Sequence, residues 1–359
     1  MVPQRNKEKG THKNMGKQMS SSTHYYGLDW LRSISAVCIL LYHYTYRFCE
    51  HEVFSPGRGI SWIGFKYGCC AIVTFFLLSG IFAEYDISNN RTVKSFFLRK
   101  FFRLYPTFWL SIIITTVCEY LLFPQALVSI KDMLLNLTMI PGILGAKPVD
   151  GAYWTLQYEI IFCISIGIIK WLNTKVKRDI SSLVFLLWTF ISIVLFFATK
   201  YTSSGVVSGL VVISLAEYIG CFIAGLMIAR LLKDNKNVLS WVTLGFALSS
   251  SAVWLGKMQL YFLLGSMMIS AYVLINKKSL LNRNCRINRI IMYFAGCTYP
   301  LYLIHQYVGY SILNYSVMHG FNSEMIIIVP IAIVLIVSIT IYCLFENKLI
   351  KSVSRKCGV

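Results

Sequence analysis

RSISAVCILLYH, residues 32–43, opens on an arginine and closes on a histidine, with ten uncharged residues between them. Apolar runs of this kind recur along the whole chain. Of its 359 residues 56% are hydrophobic, and the mean hydropathy is +0.62. That is more apolar surface than a soluble chain of this length would bury. Charged residues make up 14% and gather in short clusters. Between the clusters lie segments of roughly 18 to 25 apolar residues, long enough to cross about 30 Å of hydrocarbon. The pattern predicts an all-α, polytopic membrane protein.

About ten transmembrane helices are expected, near 28–48, 62–84, 104–123, 153–172, 181–199, 208–231, 238–255, 258–276, 290–315 and 324–346. An apolar stretch at 132–145, broken by Pro141 and Gly142, is too short to span and reads as re-entrant or interfacial. The charges set the orientation. With the N-terminus inside, the inner segments carry 25 Lys and Arg and the outer loops seven, while Arg32 and Lys170 lie in helices. This imbalance puts both termini in the cytoplasm. The net charge of +19 is therefore a signal of topology and not of nucleic-acid binding, which would need a basic folded face with interleaved aromatics. Short loops favour a bacterial inner (cytoplasmic) membrane.

Three regions follow: a disordered basic cytoplasmic tail over 1–24, a membrane domain over 25–350 and a short cytoplasmic end over 351–359. The 11 cysteines fall mostly inside spans and read as small buried hydrophobes. No two of the six histidines stand at metal-ligand spacing in the sequence, so no metal is expected.

Ionisable side chains inside spans are costly and point to function. Here they are Arg32, His43, Glu84, Glu119, Glu159, Glu217, His305 and Glu346. Glu84 and Glu346 lie near span ends, where an acid can reach the interface, and Glu119 near an outer end reads as solvated. Arg32 and His43 differ. Eleven residues at 100° each leave them about 20° apart on one helix face, separated by a rise of roughly 16 Å. A fixed cation and a proton acceptor on one face suit a polar channel entered from the cytoplasm.

GLDWLRSISAVCILLYH (27–43) resembles the first helix of the acyltransferase 3 family, integral membrane acyl-CoA-dependent O-acyltransferases of glycans. That helix is marked by an arginine, ten residues and a histidine. Further segments follow in family order. AIVTFFLLSGIFAEY (71–85) resembles the second helix, and RKFFRLYP (99–106) the basic run before the third. YWTLQYEIIF (153–162) is similar to the Trp-Ser-Leu-x-x-Glu segment, TYPLYLIHQY (298–307) to the late Tyr-x-x-Tyr-Leu-x-His helix, and FENKLIK (345–351) to the final acidic turn. The chain departs from the family pattern in having Ser33 for glycine, Arg99 and Lys100 before Arg103, and Thr155 for serine.

The resemblance implies acyl transfer across a bilayer. The donor would be cytoplasmic acyl-CoA, acetyl-CoA above all, bound as a substrate with no permanent cofactor. The acceptor would be a hydroxyl of an extracytoplasmic or lipid-linked glycan. Arg99, Arg103 and Lys100 would meet the donor phosphates, since guanidinium groups match phosphate geometry. His43 would act as general base or as a transient nucleophile, alternatives the sequence leaves open. Arg32 would hold the thioester end, and Glu159 would orient His43 or help its proton leave. Trp154 and Tyr153 would line the place where a sugar stacks, with Tyr302 and His305 contributing from the ninth span. Ser79 and Gly80 would permit close helix approach. The competing reading is a transporter or flippase of a lipid-linked sugar or small molecule, though no internal repeat supports it.

Overall fold

A computed structural model describes residues 25–50, 64–89, 92–276, 286–321 and 324–356. The 1–24 tail, Arg91, most of the basic run at 277–289 and the last three residues lie outside the described residues. Among the described residues there are helices and loops and no strand. In order they are α1 (Tyr26–Tyr42, continued as a π turn through Arg47), α2 (Ile72–Ser88, led in by a 3-10 turn from Lys66) and α3 (Val93–Leu122). Then come the short α4 (Ile130–Asn136), α5 (Trp154–Val176), α6 (Ser181–Tyr201), α7 (Gly205–Ile213) and α8 (Ile219–Leu231). The bundle closes with α9 (Val238–Trp254), α10 (Lys257–Ile275), α11 (Arg286–Met318) and α12 (Ile328–Thr340), which runs on as a π helix over Ile341–Ile350. Among the described residues six helical stretches are long and apolar enough to cross a membrane.

One stretch expected to be continuous is broken. The apolar run 208–231 divides at 214–218, where Leu215 takes a left-handed φ of 57°. A break at this depth frees carbonyls that lipid cannot satisfy. Two side chains of α6 take them up: the Trp188 indole donates to Ser214 O at 2.6 Å and the Ser192 hydroxyl to Ala216 O at 2.7 Å. Hydropathy carries no trace of such a break, because the partners lie on another helix.

The 13 residues of α8 are all buried, so this helix is the axis of one half of the bundle. It meets α2 at backbone distance. A Cβ on Gly80 would fall 1.8 Å from Phe222 O, and one on Gly225 2.0 Å from Leu77 O. The close approach expected of Gly80 is therefore real, with Gly225 as its counterpart on α8.

Glu84 is buried within the bundle and does not reach out to solvent. Its carboxylate is 5% exposed and accepts from Arg230 Nε at 2.9 Å and Nη2 at 2.7 Å. Arg230 also donates to the hydroxyls of Ser181 and Ser182, so one guanidinium ties α8 to α2 and α6. Glu119 is likewise fully buried and not solvated. Lys170 on α5 donates to the carbonyls of Asp86 (2.7 Å) and Asn89 (2.8 Å), capping the C-terminal end of α2 with a cation.

The 132–145 stretch folds back over α3 and α5. Its carbonyls at Leu137 and Thr138 accept from Trp109 (3.0 Å) and Tyr105 (3.2 Å), and Ile143 N donates to Gln157 Oε1. Met139 is thereby buried, in the left-handed region at φ 65°.

Candidate functional site

The Thr92 hydroxyl caps α3 by accepting from Ser95 N, so the helix starts before the basic run. Arg99, Lys100 and Arg103 therefore lie on its first turns, where i and i+3 positions share a face. Two adjoining cavities meet there. The outer one, about 370 Å³, is walled by Asp86, Arg99, Lys100, Phe102 and Arg103, with Ile350 and Lys351 from the end of the chain's last helix. The inner one is about 270 Å³. Lys100, Arg103 and Glu346 belong to both walls, so a single basic threshold separates them.

The inner cavity brings together Arg32 from α1, Glu159 and Thr155 from α5, and Tyr299 and Tyr302 from α11. Ser79, Phe75 and Phe76 of α2 and Met139 of the folded-back segment complete much of the remaining wall. Polar groups are held in place by neighbours. The Tyr302 hydroxyl lies 2.7 Å from Thr155 Oγ1 and 3.2 Å from Ala152 O. The Tyr299 hydroxyl donates to Leu104 O at 2.8 Å. Glu346 accepts from Thr107 at 2.9 Å and lines both cavities, so this acid belongs to the site.

His43 lies outside the cavity wall. Its ring is taken up by α11: Nδ1 is 3.0 Å from the Tyr310 hydroxyl, and the His305 ring stands edge-on at 4.8 Å between centroids. The adjoining Tyr44 donates to His305 O at 2.6 Å and fills the notch at Gly309, where a Cβ would sit 2.1 Å from its hydroxyl. His305 in turn packs on the Tyr302 ring at 5.3 Å. The order is thus cavity, Tyr302, His305, His43. The two histidines, far apart in sequence, form a pair. A π turn begins at His43, a feature frequent at functional sites.

The expected sugar platform is distributed differently. Tyr153 is fully buried, turned into the core against Phe108 at 5.0 Å by a 3-10 turn that Asp150 caps. Trp154 is 43% exposed and clusters with Tyr158 and Tyr218 at 5.7 and 5.6 Å. Neither ring lines the cavity. Asp86 and Tyr310 are neighbours of the site that sequence spacing alone does not single out. Asp86 lies 3.1 Å from Lys100 Nζ and 3.9 Å from Arg99 Nη2.

A basic threshold leads to a cavity with an arginine, a carboxylate and a nearby histidine pair, all set in the apolar helices of an integral membrane protein. Residues 25–345 match the family described as an acyltransferase domain, Acyl_transf_3. The match takes in nearly the whole chain, which belongs to this family and is a membrane acyltransferase. No curated protein and no solved structure matches it.

Proposed function

We propose that the protein moves an acyl group, acetyl above all, from cytoplasmic acyl-CoA to a hydroxyl of an extracytoplasmic or lipid-linked glycan. In this reading ten helical passes cross a bacterial inner membrane with both termini in the cytoplasm. The observation that carries it is the basic outer cavity adjoining the Arg32 and Glu159 chamber. Its wall residues come from the end of α2, the start of α3 and the end of the last helix. The excess of Lys and Arg on that side supports a cytoplasmic position for those three ends.

The donor phosphates meet Arg99, Lys100, Arg103 and Lys351, and the thioester arm enters the inner cavity. Arg32 stabilises negative charge on the thioester oxygen as it develops. His43 removes the proton of the acceptor hydroxyl as the O–C bond forms. The C–S bond breaks, and the CoA thiolate leaves with that proton. Glu159 balances Arg32 in the wall. The Trp154, Tyr158 and Tyr218 rings, with Glu217 bonded to the Tyr158 hydroxyl at 2.9 Å, offer a sugar an aromatic face and an acid.

The test uses purified protein in nanodiscs with radiolabelled acetyl-CoA and a host glycan extract. CoA release coupled to labelled glycan is expected. Neither binding nor consumption of any acyl-CoA would bring the transporter reading forward. Asp86 gives a second expectation. Its carboxylate occupies the cations that a phosphate would need, so Asp86→Asn should tighten CoA binding by about fivefold, equivalent to ~1 kcal/mol. Titration calorimetry reads this directly, and unchanged or weaker binding would take Asp86 out of the donor's path.

A further inference from the structure

Among the described residues, three that are not glycine hold a left-handed φ, and two of them mark helix ends. Lys177, at φ 55°, closes α5, and Leu215, at φ 57°, sits at the break before α8. The third is Met139, at φ 65°, and of the three it alone lines either cavity. A side chain is disfavoured in this conformation, which glycine adopts freely. A residue that its surroundings hold in a disfavoured conformation points to function.

The hold on Met139 is tight. Its own N–H donates to Asn136 O at 3.0 Å, and the next amide, of Ile140, donates to Thr138 Oγ1 at 3.3 Å. The two preceding carbonyls are taken by Trp109 and Tyr105. Asn136 is tied in turn, its amide donating to Lys147 O at 2.7 Å and its oxygen accepting from Val149 N at 3.1 Å. Among the described residues between α3 and α5, Met139 is the one that lines the inner cavity. It does so with Leu104 and Leu156, members of the same apolar cluster. Methionine is flexible and would ordinarily yield to a ligand. Here the tied backbone leaves it little room to retreat.

We propose that Met139 sets the length of the acyl group: its thioether end occupies the space into which a chain longer than acetyl would extend. The inference rests on the acyl-CoA reading above. The charged wall residues, Arg32, Lys100, Arg103, Glu159 and Glu346, suit the anionic and polar parts of the donor. An alkyl tail gains only where it exchanges water for apolar surface, and Leu104, Met139 and Leu156 offer that surface.

The test compares acetyl-CoA with butyryl-CoA in nanodiscs, with the host glycan extract as acceptor, and reads kcat/KM for each donor. Wild type is expected to favour acetyl. Met139→Ala removes the γ-carbon, sulfur and terminal methyl, so the ratio of butyryl to acetyl kcat/KM should rise by about tenfold or more, the lower end for the fit of one methylene in an apolar pocket. Met139→Gly opens the same space in a residue suited to this φ, and its ratio should rise at least as far. Met139→Leu, close in volume, should keep the wild-type ratio. Thermal unfolding checks each variant, and if Ala does not fold, Gly decides. Three results overturn the proposal: wild type that uses butyryl-CoA as well as acetyl-CoA, folded Ala and Gly variants that keep the wild-type ratio, or a Leu variant whose ratio rises as far as theirs. Wild type inert toward both donors sinks the parent reading and this one together, whereas active wild type with an unchanged ratio in the variants sinks only this one.

Discussion

His43→Ala is expected to abolish acyl transfer, lowering kcat by about 10³-fold, within the range for removal of a general base. Binding of CoA should survive, because His43 is not among the residues that line either cavity. Arg32→Ala should also cost about 10²-fold in turnover, the scale for losing one group that stabilises a developing oxyanion. Arg32 lines the chamber itself, so its removal also leaves Glu159 facing the threshold cations Lys100 and Arg103 without its companion. The two variants should therefore differ: His43→Ala changes kcat alone, and Arg32→Ala changes kcat and the donor KM together. Single-turnover CoA release alongside CoA calorimetry makes the separation. Wild-type turnover in His43→Ala would remove this histidine from the mechanism and turn attention to Glu159, which lines the cavity with Arg32.

The second large effect is on stability. Glu84→Ala strands the Arg230 guanidinium, which is 9% exposed, among α2, α6 and α8. Breaking one side of a buried ion pair costs about 3–5 kcal/mol. The expected result is a large fall in the midpoint of thermal unfolding in detergent, read by tryptophan fluorescence. The double variant Glu84→Leu with Arg230→Met removes both charges and should recover most of the loss. An unchanged midpoint for Glu84→Ala would mean that Arg230 is held by Ser181, Ser182 and Asp179 alone.

Hydropathy and charge revealed the helical membrane class, and motif order revealed the family, because both are written along the chain. Arg32, Glu159, Lys100 and Arg103 stand out in the sequence for the same reason, but that they share one cavity wall while His43 lies outside it does not. What the sequence concealed lies between helices. Glu84 reads as an interfacial acid until Arg230, 146 positions later, is seen against it. Glu346 reads likewise until Thr107 is placed beside it. The His43 and His305 pair joins residues separated by most of the chain, and no spacing rule reaches that far. Tyr153 looked like a sugar platform because it adjoins Trp154, yet the short capped turn sends the two rings in different directions.

The fully enclosed α8 has a consequence for biogenesis. Thirteen residues rise only about 20 Å, less than the hydrocarbon thickness, and none of them faces lipid. Such a segment has no stable resting place as an independent span while the chain is still being made. Its wrapping by α9, which is synthesised after it, is completed only when the ribosome has moved on. A late consolidation step inside the bilayer, in which that half of the bundle closes once α9 has been made, is the expected consequence.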